Sequence, residues 1–305
     1  DSEDLIIDLD LDNSTGYSSS TVNSASINNK GVEAILNVIP VQSRDFTWDV
    51  SASFSLLRSE VISIADGIDQ IYVGGYVGRG NIAIPGLPYG ILEGEVIRRD
   101  YGSLDGTDHT QVHWDDRTNY TPIVNANGGY QFLGYGVIGN PQPDFVYGVT
   151  NTLSYKWATL RVQFDSQVGG DVFSTTNSTL LGRGILQETD FDRFVPVVTN
   201  GLSADGTPNT TQTTANAHYW PNTGVFYDEN SIYDASVMRL REVSLSFVAP
   251  KSFLNGTPFG NASLTLSAQN IWHYAWNTPS GTNFDPEVIS YGAGSNARGF
   301  DCLLY

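Results

Sequence analysis

From Phe46 to Leu57 the chain reads FTWDVSASFSLL, with Phe46, Trp48, Val50, Ala52, Phe54 and Leu56 apolar and Thr47, Asp49, Ser51, Ser53 and Ser55 polar between them. Such alternation predicts a β-strand with one apolar and one polar face. The pattern recurs. Leu5, Ile7, Leu9 and Leu11 alternate with Asp4, Asp8, Asp10 and Asp12, Ile6 being the exception, and Val32, Ala34, Leu36 and Val38 share a second face. Phe145, Tyr147, Val149, Leu153 and Tyr155 form a third, and Ala158, Leu160, Val162 and Phe164 stand opposite Thr159, Arg161, Gln163 and Asp165. Val243, Leu245 and Phe247, then Ala262, Leu264, Leu266 and Ala268, complete the set. The result is about seven strands, with helical periodicity nearly absent.

The links between these strands alternate in length. A Ser/Asn-rich stretch over 13–31 reads as the first long loop, followed by the short QSRD; the region from Ala65 to Pro143 is followed by Lys156-Trp157; the region from Gly169 to Asp234 is followed by PKSFLNGTPFG. A meander with long loops at one end and short turns at the other is the layout of an outer-membrane barrel. Phe46 and Trp48 flank one short turn and Tyr155 and Trp157 another, where an aromatic girdle would sit. On this reading the apolar face meets lipid and the small polar face a wet lumen. The rival is a secreted or surface-attached β-rich module for glycan binding or adhesion, in which two sheets would bury their apolar faces against each other.

Composition narrows the function. The 305 residues carry 33 acidic against 15 basic side chains, a net charge of −18, without a run of Lys or Arg, so nucleic acid is not an expected partner. No apolar run approaches the roughly 20 residues of a membrane helix, whereas barrel strands need only about 10 alternating ones. The single cysteine, Cys302, excludes a disulfide framework within the chain.

Several segments then resemble the SusC/RagA family of TonB-linked outer-membrane transporters. GVEAILNVIPVQSRDFTWDVSASFSLLRSEVISIADG is similar to that family's paired strands; GNPQPDFVYGVTNTLSYKW to its strand entry; LREVSLSFVAPKSFL to a strand and turn; LTLSAQNIW to a strand end; and NFDPEV to the Asp-Pro-Glu of the following loop. The five occur in family order over nearly the whole chain. The resemblance implies an all-β fold, part of an antiparallel up-and-down transmembrane β-barrel of about 22 strands with long extracellular loops. It implies import of glycan or peptide oligomers, with a SusD-like surface lipoprotein as lid and a TonB complex as energy source. Residues 1–305 are expected to be the C-terminal part of the barrel domain, without the plug domain and closing strand; TonB contacts would belong to missing N-terminal parts.

Little in the chain points to catalysis, and neither an enzyme nor a cofactor is expected. His109 and His113 lie four apart beside Asp115 and Asp116, but Thr110 stands where a zinc-protease motif needs Glu. DLDLDN opens like a calcium loop, but Asn13 replaces the required Gly. No metal site is expected. Glu93, Glu95, Asp100, Asp105, Asp108, Asp115 and Asp116 read as a solvated outer loop, the other reading being capture of cations. Trp114, Tyr219, Trp220, Tyr274 and Trp276 fall at the long-loop end among Asn, Asp and Gln, and are the candidate substrate-binding platforms.

Overall fold

The computed structural model describes residues 2–10, 14, 16–17, 19–76, 78–101, 114–222, 227–279, 282, 284–287 and 299–301. Its frame is one seven-stranded sheet: β1 (Ser2–Asp10), β2 (Ser19–Gln42), β3 (Phe46–Ser63), β4 (Phe145–Tyr155), β5 (Ala158–Val168), β6 (Val237–Val248) and β7 (Ser263–Tyr274). Each strand pairs antiparallel with its predecessor, so spatial order equals chain order. Among the described residues no helix is long and apolar enough to cross a membrane.

The register joins the alternating patterns of separate strands into two continuous faces. Leu36, Ala52, Val149, Phe164, Leu240 and Trp272 form one cross-strand row, and Val38, Val50, Asn151, Val162, Val243 and Ala268 the next. Asn151 is the polar exception, and Trp48 Nε1 donates to its Oδ1 at 3.2 Å. On the other side Asn37, Ser51, Thr150, Gln163, Glu242 and Gln269 line up. The apolar face is bare: Leu36, Leu264 and Leu266 are 60%, 58% and 59% exposed. Burying such a surface against another sheet would be worth about 25 cal/mol per Å², yet among the described residues no sheet covers it. The sandwich arrangement is therefore absent, and the face is suited to lipid.

Aromatic rings mark both margins of that face. At the short turns Phe46 pairs with Tyr155 across β3 and β4, and Trp157 lies 5.7 Å from Phe247. Eight to ten positions up the strands, about 26–33 Å of chain at ~3.3 Å per residue, Phe54 meets Phe145 and Trp272 stacks on Tyr274. With strands tilted by ~40° the two belts stand roughly 20–25 Å apart, close to the height of an outer-membrane apolar band.

Three features differ from the expectation. The Ser/Asn-rich segment is not a loop: β2 begins at Ser19 and pairs with β1 and then β3 along its length, leaving only 11–18 as the connection. Above the bilayer both faces of a strand meet water, so Ser, Thr and Asn suit either side and alternation disappears. The turn after β2 is 43–45, since Gln42 still pairs with Thr47. The two long excursions are folded rather than open. The first contains an antiparallel sheet of Ile71–Tyr76, Arg79–Ala83, Ile91–Ile97 and Phe132–Gly139. Leu92, Val96 and Ile138 from that sheet bury Phe173 from the second excursion. Gly94 permits the approach, because a Cβ there would lie 2.5 Å from Ile138 and 2.7 Å from Asp228. α1 (Thr175–Gly182) follows, with Ser174 Oγ accepting from Asn177 N at 3.2 Å as its cap.

Candidate functional site

The polar face of the sheet, together with the folded excursions above it, forms a wall with two adjoining hollows. The lower hollow, of about 390 Å³, is lined by residues that include Glu33, Ser53, Asp165, Arg239, Arg241 and Glu287. The upper one, about 380 Å³, lies under the loop 141–143 and is lined by residues including Leu57, Tyr89, Pro141, Pro143 and Val146. Ser55 and Val146 line both, so the two adjoin.

An ionic cluster forms the floor of the lower hollow. Asp165 on β5 faces Arg239 on β6, and a bulge there inserts Arg241 as an extra residue on the same side. Arg239, 5% exposed, donates to Asp285 at 2.6 Å and lies 3.5 Å from both Asp165 and Glu287. Arg241 donates to Asp165 at 2.5 Å and to both oxygens of Glu287 at 2.8 and 2.7 Å. The segment after β7 is thereby strapped onto the wall, and Phe284 anchors it beside Val172, Ala235 and Tyr233. Burial raises the Asp285 carboxyl, but the Arg239 guanidinium and the Glu287 N–H outweigh it and hold the group below its ordinary range.

The upper hollow is fixed by a small polar joint. Gln142 reaches Ser59 Oγ with its Nε2 and accepts from Ser59 N at 3.3 Å, while Tyr89 N donates to Ser59 Oγ at 3.1 Å. Arg58 donates to Asp144 at 2.9 Å and to Pro143 O at 3.0 Å, closing the joint from the other side. Further up, Arg99 Nη1 donates to both carboxylate oxygens of Glu229 at 2.9 and 2.8 Å, both side chains being largely buried, and Arg79 reaches Asp228 at 2.5 Å. These pairs tie the first excursion to the second. At their base Asp171 accepts from Asn140 N at 2.7 Å. Burial pushes its carboxyl up to about 6, with Asp115, Asp234 and Asp144 adding to the rise and the Asn140 hydrogen bond opposing it.

The five aromatic candidates do not converge on one spot. Tyr219 and Trp220 sit together in the helical turn His218–Asn222, Tyr219 against Phe191 at 6.2 Å and Trp220 5.3 Å from the Arg183 guanidinium. Tyr274 and Trp276 lie together, 6.4 Å apart, Tyr274 on the bare apolar face opposite Met238. Trp114 opens the 3₁₀ turn Trp114–Asn119 and is half-buried. Of the loop carboxylates, Asp100, Asp115 and Asp116 are exposed, whereas Glu93 is buried and accepts from Gln70 at 3.1 Å. The solvated reading fails for Glu93, because its strand is central in the loop sheet. Asp12, Asn13, Asp105, Asp108, His109, His113 and Cys302 lie outside the described residues. Among the described residues no group of three or more His, Cys, Asp or Glu could hold a metal. Arg239, Arg241 and the strap were missed from sequence, since only the bulged register brings them together.

A TonB-dependent receptor of Formosa agariphila is 26% identical over 292 residues, covering 88% of this chain and 26% of the receptor. TonB-dependent receptor SusC of Bacteroides thetaiotaomicron is 22% identical over 259 residues, covering 80% of this chain and 23% of SusC. A solved structure of the RagAB peptide importer in its closed-closed state superposes with a TM-score of 0.59 at 18% identity, covering 90% of this chain and 29% of that one. The likeness to SusC/RagA-type TonB-dependent transporters holds. No family model matches the chain. The SusC-like chain spans about a quarter of the length of the receptors it matches, and its sheet is part of an outer-membrane β-barrel.

Proposed function

We propose that this chain is the C-terminal part of the barrel domain of a SusC-like TonB-dependent transporter that imports nutrient oligomers. The observation that carries the reading is the apolar face that runs across the strands, polar at Asn151, bounded by aromatic belts at both margins, behind a polar wall with a folded vestibule above it. The wall supports passage rather than chemistry: Asp165, Arg239, Arg241, Asp285 and Glu287 are engaged with one another rather than poised beside a nucleophile. In this reading a SusD-like lipoprotein covers the vestibule, and TonB supplies energy through parts of the protein outside this chain. Trp114, Tyr219 and Trp220 serve as substrate contacts at the mouth, while Tyr274 and Trp276 suit the outer interface belt.

The test is uptake by cells with and without the full-length gene, supplied in parallel with fluorescent maltodextrins and a fluorescent peptide digest. Accumulation of either should disappear on deletion and on collapse of the proton gradient. Equal accumulation of both in the deletion strain would refute import by this protein.

A further inference from the structure

We infer that the two adjoining hollows form one binding groove for an extended peptide that places a basic side chain at the lower end and an alkyl side chain at the upper end. The inference rests on the import reading and names the class of oligomer that the wall would take.

Charge decides the lower end. Arg239 and Arg241 are both committed to carboxylates, and the three acids around them, Asp165, Asp285 and Glu287, outnumber them by one. Glu33 on β2 lines the same hollow, is exposed, and adds a second surplus negative charge. The Glu287 side chain remains 49% exposed even while holding Arg241. An entering ammonium or guanidinium group would meet two carboxylates with unused acceptor capacity, whereas an entering carboxylate would find no free cation there.

Shape and polarity decide the upper end. Leu57 and Val146 are 55% and 37% exposed, and with Pro141, Pro143 and Tyr89 they form the apolar side of a lining that also carries Asn29, Ser55, Ser59 and Gln142. The aliphatic and proline surfaces accept alkyl side chains, and the polar groups beside them can bond a backbone. A ligand carrying alkyl and cationic groups along one strand-like backbone is a peptide. Ser53, Ser55, Asn29 and Gln163 line the two hollows and can bond its amides.

The experiment uses outer-membrane vesicles containing the full-length transporter, incubated with a mixed casein digest and, separately, with a maltodextrin ladder. Retained peptides are read by mass spectrometry. Wild type should enrich Lys- and Arg-containing peptides at least fivefold over the input, and Glu33→Gln with Glu287→Gln should bring that enrichment to near unity while peptides are still retained. Glu33→Gln alone, which leaves the strap intact, should reduce it by half or more. Unselective retention, enrichment of acidic peptides, or a preference unchanged in both variants would overturn the groove assignment. Retention of maltodextrins with no peptides would overturn it while leaving import intact. Retention of neither, together with uptake unchanged by deletion of the gene, would bring down the import reading itself.

Discussion

Asp171 is a single carboxyl at the junction of the barrel wall and the vestibule, and its environment makes that junction sensitive to pH. An acid whose folded pKa is raised contributes stability that is present below its unfolded value, near 3.8, and lost as pH rises through about 6. Loss of that contribution amounts to at most about 3 kcal/mol. Amide exchange at 139–144 and 169–171 should therefore quicken between pH 5 and pH 7 beyond its intrinsic base catalysis, and Asp171→Asn should remove the excess. An unchanged excess in the variant would mean that neighbouring groups carry the effect. Arg239 poses the opposite case, a buried cation with several carboxylates around it. Arg239→Ala leaves Asp165 and Asp285 without their partner, a loss of about 1–3 kcal/mol once solvent access is allowed for. Limited proteolysis of the full transporter should then cut within 275–287 at least tenfold faster, whereas an unaltered rate would show that Phe284 alone holds the strap.

The strands follow one rule, apolar outward and polar inward, with Asn151 outward and Leu57 and Val146 inward as exceptions, and substitutions should sort by that rule rather than by burial. Val162→Arg places a charge on the outward face midway between the aromatic belts, a change of about 2–4 kcal/mol at mid-bilayer, and should lower the amount of assembled protein in the outer membrane. Gln163→Arg on the inner face should assemble at near wild-type levels; similar losses from both would contradict the assignment of faces. This rule was readable in the sequence wherever a strand divides lipid from lumen, as at Phe46–Leu57, Phe145–Tyr155 and Ala158–Phe164. It was unreadable in 19–31, where water on both sides removes any reason to alternate. The inner site was hidden for a different reason. Asp165 and Arg239 are far apart in the chain, and only a bulge of one residue, together with the left-handed backbone at Asn270 (φ 51°), turns Arg241 to the same side. Pairings that depend on register across several strands leave no local trace.

Among the described residues the sheet is an open one, apolar on one side, with unpaired edges along β1, β7 and the lower part of β2. Expressed by itself, the 305-residue chain should be recovered only in aggregates or detergent, because both the bare face and the free edges invite association. A soluble monomer of 33.2 kDa would instead require the apolar rows to be buried, contrary to the sheet described here. The longest strand carries one more implication. β2 runs for 24 residues, about 80 Å of chain at ~3.3 Å per residue, against an apolar band about 25 Å tall. Even tilted, roughly half of it stands clear of the bilayer, hydrogen-bonded to its neighbours and therefore stiff. The cell surface around this pore thus has relief: a rigid parapet that a bacteriophage, an antibody or an epitope tag placed at the β1–β2 crest would encounter well before the lipid headgroups.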